Sequence, residues 1–210
     1  MLEPRYLIAS FGNPTPYHRS LHSAGHLALE SLQEALGDSE QPRFSAHRYG
    51  SKSCMASISR KYMLLQSPTL MNNTGPWLAK AYKDILGTYN LQPSQLGFVV
   101  VHDDLEEELA HVKTRAWKTS HRGHNGVKST NMSFNSLRFT GHHWSRISVG
   151  IGRPEERDPE TITNYVLKPM TPYQKKCICA VGPKVLDCLH QLEERWKESY
   201  EKRAASSADP

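Results

Sequence analysis

Phe11-Gly12-Asn13-Pro14-Thr15-Pro16-Tyr17-His18-Arg19-Ser20-Leu21-His22-Ser23-Ala24-Gly25 follows, after Ser10, the short apolar run Tyr6-Leu7-Ile8-Ala9. Its prolines and glycines mark a turn. Ala24, Leu27, Ala28, Leu32, Ala35 and Leu36 then recur at helical spacing, which predicts a helix from Ala24 to Leu36 stopped by Gly37. A strand that ends in a polar turn and then enters a helix presents polar residues at the carboxyl edge of a sheet, where open α/β folds build their sites. Asn13, Tyr17 and His22 are therefore the first candidates.

The same kind of junction recurs along the chain. Lys61 to Gln66 reads as a strand running into Ser67-Pro68-Thr69-Leu70-Met71-Asn72-Asn73-Thr74-Gly75, followed by a helix from Pro76 to Leu86 that Gly87 stops. Leu96 to Val101 is the strongest strand, apolar enough for a central position buried on both faces, and it ends in His102-Asp103-Asp104. Phe44 to Ser59 suits paired edge strands. His111 to Asn125 is basic and polar, and Gly123-His124-Asn125-Gly126 is a tight turn before a helix from Val127 to Leu137. Arg146 to Gly152 alternates like a last strand, Arg157 to Pro159 is a charged loop, and Thr161 to Leu167 is a short segment. Pro172 to Tyr200 is a helical pattern interrupted at Gly182-Pro183, and Ala204 to Pro210 is small and polar and expected to be disordered. No repeat or linker divides the chain, so the reading is one α/β domain over residues 1–203.

At 210 residues the chain is long enough to bury a substantial core. No apolar run approaches the roughly 18 residues that cross a bilayer, and the first residues do not read as a targeting segment. The expectation is a soluble cytoplasmic protein, with a mitochondrial address left open, monomeric by default and without a membrane partner. A net charge of +5 and a pI near 9.0 favour an anionic partner, although 26 basic against 21 acidic residues do not by themselves establish nucleic acid. The four cysteines form no CxxC pair and read as reduced thiols. His142-His143 and His121 with His124 have metal-binding chemistry, but no HExxH motif or Cys/His cluster accompanies them, so no metal is expected.

The strand-end loops supply His22 and an acid, Asp103, that suits it. A carboxylate on one imidazole nitrogen fixes the tautomer and leaves the other nitrogen to take a proton. No Ser or Cys sits in a nucleophile elbow, so the nucleophile would be water. Asn13, Asn72 and Asn125 are neutral amides able to donate to a carbonyl oxygen as charge develops on it, typically worth about 3 to 4 kcal/mol per well-placed donor.

Gly12-Asn13-Pro14, Tyr17 and His22 with Gly25, Pro68-Thr69-x-Met71-Asn72-x-x-Gly75, Val101-His102-Asp103-Asp104-Leu105, Gly123-His124-Asn125-Gly126, and Arg146 with Gly150-Ile151-Gly152 occur in one order. In that order, from about Tyr6 to Leu167, the chain resembles the bacterial-type peptidyl-tRNA hydrolases. The resemblance implies a mixed, mostly parallel twisted sheet flanked by helices, and hydrolysis of the ester joining a peptide to the 3′ ribose of tRNA. It assigns catalysis to His22, its orientation to Asp103, and the holding of substrate and attacking water to Asn13. Asn72 and Asn125 match amides that bind the peptide backbone and terminal nucleotide, and Met71 and Tyr17 match cleft residues beside the ester. It implies no metal and no organic cofactor.

Beside this chemistry the basic stretch offers phosphate contacts, for which Arg115, Lys118 and Arg146 are the candidates. The chain departs from the family pattern in four places. Pro14-Thr15-Pro16-Tyr17 is one residue short; Ser20-Leu21-His22-Ser23 lacks the usual flanking Arg and Asn; Glu106-Glu107-Glu108-Leu109-Ala110 replaces a proline turn; and Ser148 stands where a second arginine is usual. The alternatives are a catalytically silent RNA-binding protein of the same fold and an esterase or amidase for small substrates.

Overall fold

The computed structural model describes residues 5–137, 139 and 143–206. Seven strands form one sheet: β1 Arg5–Ser10, β2 Ser45–Tyr49, β3 Lys52–Ile58, β4 Tyr62–Gln66, β5 Leu96–Asp104, β6 Val112–Ala116 and β7 His143–Gly150, in the order β2-β3-β4-β1-β5-β7-β6. The four central strands are parallel, and antiparallel strands close both edges. Mixed and mostly parallel is therefore the correct description.

Alternating side chains divide the core between the two faces of the sheet. Tyr6, Ile8, Val99 and Val101 pack with Leu29 and Leu32 of α1 Ala24–Leu36 and with Val185 and Leu189 of α6 Gly182–Ser206. Leu7, Ala9, Phe98 and Val100 face Trp77 and Tyr82 of α2 Thr74–Thr88 and Val127 and Phe134 of α3 Asn125–Asn135. Both faces of β5 are thus covered, as its apolar run predicts. α4 Pro159–Leu167 and α5 Pro172–Ile178 join β7 to α6. None of the described helices is long and apolar enough to cross a membrane.

Several boundaries differ from expectation. β5 continues past Val101, so His102 and Asp103 lie on the strand itself. β6 forms inside the basic stretch; its Lys113 and Arg115 hid it, yet charged side chains are normal on an edge strand. α2 runs through Gly87 to Thr88. Gly182-Pro183 opens α6 instead of interrupting a helix, consistent with proline's tolerance in a first turn. Of the tail expected to be disordered, Ala204, Ala205 and Ser206 belong to α6, while 207–210 lie outside the described residues, as does His142.

Candidate active site

The three parallel junctions meet beside the end of β5. His22 lies in a single 3₁₀ turn, Leu21–Ser23, immediately before α1. That turn is held from the C-terminal side of the chain: Leu21 N–H donates to the Lys168 carbonyl at 3.2 Å and Met170 N–H to the Arg19 carbonyl at 3.0 Å. Gly25 brings the start of α1 against the sheet, where a Cβ would stand 2.5 Å from the Phe11 carbonyl oxygen and 2.7 Å from that of Val101. The result is a buried pair, with His22 Nδ1 3.0 and 2.9 Å from the two carboxylate oxygens of Asp103.

A third residue completes the arrangement. His124 places Nε2 2.9 Å from Asp103 Oδ1, while its Nδ1 accepts from the backbone N–H groups of Gly126 and Val127 at 3.1 and 3.3 Å, capping α3. A nitrogen that accepts two N–H groups carries the lone pair, so neutral His124 holds its proton on Nε2 and donates it to Asp103. His22 likewise donates from Nδ1, which leaves its Nε2 lone pair without a hydrogen bond among the described residues. The two imidazole rings are 4.8 Å apart.

Burial alone would lower the His22 pKa, but the charge of Asp103 and its hydrogen bond outweigh burial and raise it above the ordinary 6.5. Burial alone would raise Asp103; the imidazoles of His22 and His124 hold it well below the usual carboxylate range. Asp103 is 2% exposed and stays ionised because both of its oxygens receive N–H donors. The triad is a base waiting for a proton.

The model of the family described as peptidyl-tRNA hydrolase matches residues 7–209. The chain is 33% identical to the peptidyl-tRNA hydrolase of Aquifex aeolicus, with 90% of each chain covered, and 30% identical to that of Synechococcus sp. CC9605, covering 93% and 89%. It is also 30% identical to the probable peptidyl-tRNA hydrolase of Schizosaccharomyces pombe, covering 89% and 82%. The chain belongs to the peptidyl-tRNA hydrolase family. The fold agrees: the Arg119Gln mutant of the Acinetobacter baumannii peptidyl-tRNA hydrolase superposes with a TM-score of 0.61 at 20% identity, covering 91% of this chain and 96% of that one.

Within this peptidyl-tRNA hydrolase fold, Asn13 is buried and its Oδ1 accepts the Met71 N–H at 3.2 Å. That bond assigns the amide orientation and frees the NH₂ for donation. Asn13 N–H in turn donates to Ser23 Oγ, whose hydroxyl donates to the Tyr17 carbonyl, so the shortened loop is braced against the His22 turn. Met71 is buried; Asn72 beside it and Asn125 at the start of α3 are exposed, and Tyr17 is 40% exposed. A cleft of about 340 Å³ opens on the triad, walled by Asp104, Arg122, Asn125 and Arg146 and by Ile162 and Val166 of α4.

The three expected phosphate contacts separate. Arg115 ion-pairs with Asp104 at 3.0 Å and with Glu107, so its charge is already neutralised. Arg146 is 3% exposed and donates to the Ala116 and Thr119 carbonyls, holding the turn that leads to His124. Burial, reinforced by Arg115, pushes its pKa down to about 10. Lys118 is exposed, and so is Arg122, which sequence reading did not single out.

His22, Asp103 and His124 also form the one metal-like cluster among the described residues, with ligand atoms within 4.8 Å of one another. The donors do not suit an ion: the lone pair of His124 is spent on two backbone amides, and its other nitrogen must keep the proton. Sequence reading weighed His124 only as a metal ligand, because a histidine in a Gly-rich turn carries no local mark of a partner at Asp103.

Proposed function

We propose that this chain hydrolyses the ester between a peptide, or an N-blocked amino acid, and the 3′ ribose of tRNA. The observation that carries this reading is a buried imidazole whose Nδ1–H is held by a doubly bound carboxylate and whose Nε2 remains available. Water delivered to His22 Nε2 loses a proton as it attacks the ester carbonyl, and Asp103 stabilises the imidazolium. The Asn13 NH₂ donates to the developing oxyanion, and the imidazolium returns its proton to the departing ribose oxygen. No acyl-enzyme is required.

Met71, Asn72 and Tyr17 take the peptide side, and Asn125 the terminal nucleotide. Lys118 and Arg122 are the exposed cations available to phosphates; Arg146 acts through the turn that it holds. We assign recycling of tRNA from peptides abandoned in translation, by a monomer in the cytoplasm or, as the alternative, the mitochondrion. A catalytically silent RNA binder of the same fold is less well supported, because binding needs no buried His-Asp-His array.

The test is incubation with an N-acetylated aminoacyl-tRNA, following release of the acyl amino acid. Release well above the spontaneous rate is expected. Spontaneous-rate release with tRNA binding intact would turn the assignment to the silent binder.

A further inference from the structure

A second groove, of about 470 Å³, is lined by Pro14, the chain neighbour of Asn13, and by Leu70 and Asn73, which flank Met71-Asn72. Its wall is apolar, formed by Pro68, Pro76 and Trp77 as well as Pro14 and Leu70. Leu70 is 49% exposed on its rim, and Trp77 is 3% exposed with its indole N–H already given to the Tyr49 carbonyl at 2.9 Å. The walls are tied together. Gly50, in the β2–β3 turn, donates its N–H to Asp84 at 2.7 Å, and a Cβ there would stand 2.7 Å from the Trp77 carbonyl oxygen. Two ammonium groups, Lys52 from the hairpin and Lys80 from α2, line the groove, and no carboxylate is among its described lining residues.

We infer, resting on the ester-hydrolase reading, that this groove receives the peptide upstream of the scissile ester and that Lys52 and Lys80 make it favour acidic over basic side chains. The two halves of the substrate must leave the ester in different directions; one groove holds His22 and Asp103, and the second is lined by the chain neighbours of Asn13 and of Met71-Asn72. The first carries the exposed Arg122 and the hydroxyl groups of Thr119 and Ser120, chemistry that matches phosphate and ribose. The second, with proline and leucine faces and two exposed lysines along it, suits an extended peptide with carboxylate side chains. At about 3.3 Å per residue, a peptide of a few residues extends well past the ester, as entry into the groove requires. A single N-acetylated amino acid does not.

The experiment compares three substrates on the same tRNA: an N-acetylated amino acid, and N-acetylated pentapeptides with the same ester-linked residue and either glutamates or lysines upstream. For the wild type, kcat/KM is expected to favour the acidic over the basic pentapeptide about threefold to tenfold, the range of two solvent-exposed ion pairs, and less at high salt. The Lys52→Glu/Lys80→Glu variant is expected to invert that order. Equal or basic-favouring kcat/KM in the wild type overturns the inference, and so does a preference the double variant leaves unchanged. A loss in the variant that is equal for all three substrates reassigns the groove to tRNA and also overturns it. Failure of the wild type to turn over even the N-acetylated amino acid sinks the hydrolase reading itself.

Discussion

Two histidines bind the same carboxylate and differ in what holds their other nitrogen. His124 stands at the start of α3, where the Gly126 and Val127 amides occupy its Nδ1. His22 stands in a 3₁₀ turn before α1, and its Nε2 is bound to nothing among the described residues. One ring is a donor fixed by the helix it caps; the other can exchange a proton. The residue type and the shared carboxylate set neither role. The partner on the far nitrogen does, and that partner comes from the local backbone: a helix N-terminus supplies unpaired N–H groups, whereas the turn holding His22 leaves its ring toward the cleft.

The largest expected effect breaks this comparison on the side of His22. His22→Ala should lower kcat by about 10² to 10⁴, the usual contribution of a positioned base, with little change in tRNA affinity. A variant retaining most of its turnover would remove His22 as base. Asp103→Asn should cost nearly as much, and it carries a second signature. Turnover requires unprotonated His22, so it rises with pH through a His22 pKa held above 6.5 by Asp103. With that charge gone only the lowering by burial remains, and the acid limb of the pH profile should move to lower pH. A limb that stays in place would mean that another group titrates.

On the other side, His124→Ala should act in two separable ways. It removes a donor to Asp103, for a moderate loss of about tenfold in kcat, and it uncaps α3, which typically costs about 0.5 to 2 kcal/mol of stability. His124→Asn should recover the cap, seen as a regained Tm, without recovering kcat. If Asn restores both, the bond to Asp103 contributes nothing to turnover.

The smallest effect concerns a third imidazole. His102 is 4% exposed and donates from Nδ1 to the Asp103 carbonyl, and burial, with His124 next, drives its pKa down to about 3. An unfolded chain takes up that proton near 6.5, so His102 withdraws stability as the pH falls below that value. His22, raised in the folded state, adds stability below 6.5 and loses it above its folded pKa. Thermal melts from about pH 7 to about pH 5 should separate the two contributions, with His102→Asn rendering Tm less sensitive to acid. An unchanged slope would show that His102 is not the titrating group.

Much of this was legible along the chain. The apolar run of β5, the Gly37 stop of α1 and the strand-to-turn junctions are local patterns, and they bring Asn13, His22, Met71 and Asp103 to one edge. β6 escaped because Lys113 and Arg115 interrupt the apolar pattern that marks a strand. Arg115 differs for another reason: a charged residue looks available in sequence, and only its approach to Asp104 and Glu107 shows that it is paired. Arg146 looked equally open and is buried under the turn it supports.

By itself, the sequence determined the order of strands and helices, the carboxyl edge at which polar residues collect, and the pairing of a histidine with an acid. These follow from periodicity and turn chemistry over a few residues, where neighbours in the chain are neighbours in space. The tertiary structure alone decided that Asp103 carries two imidazoles, which of them keeps a free nitrogen, and that a cationic groove lies beyond Met71. Each depends on groups tens of residues apart meeting at hydrogen-bond distance, and no local pattern encodes the occupancy of a lone pair.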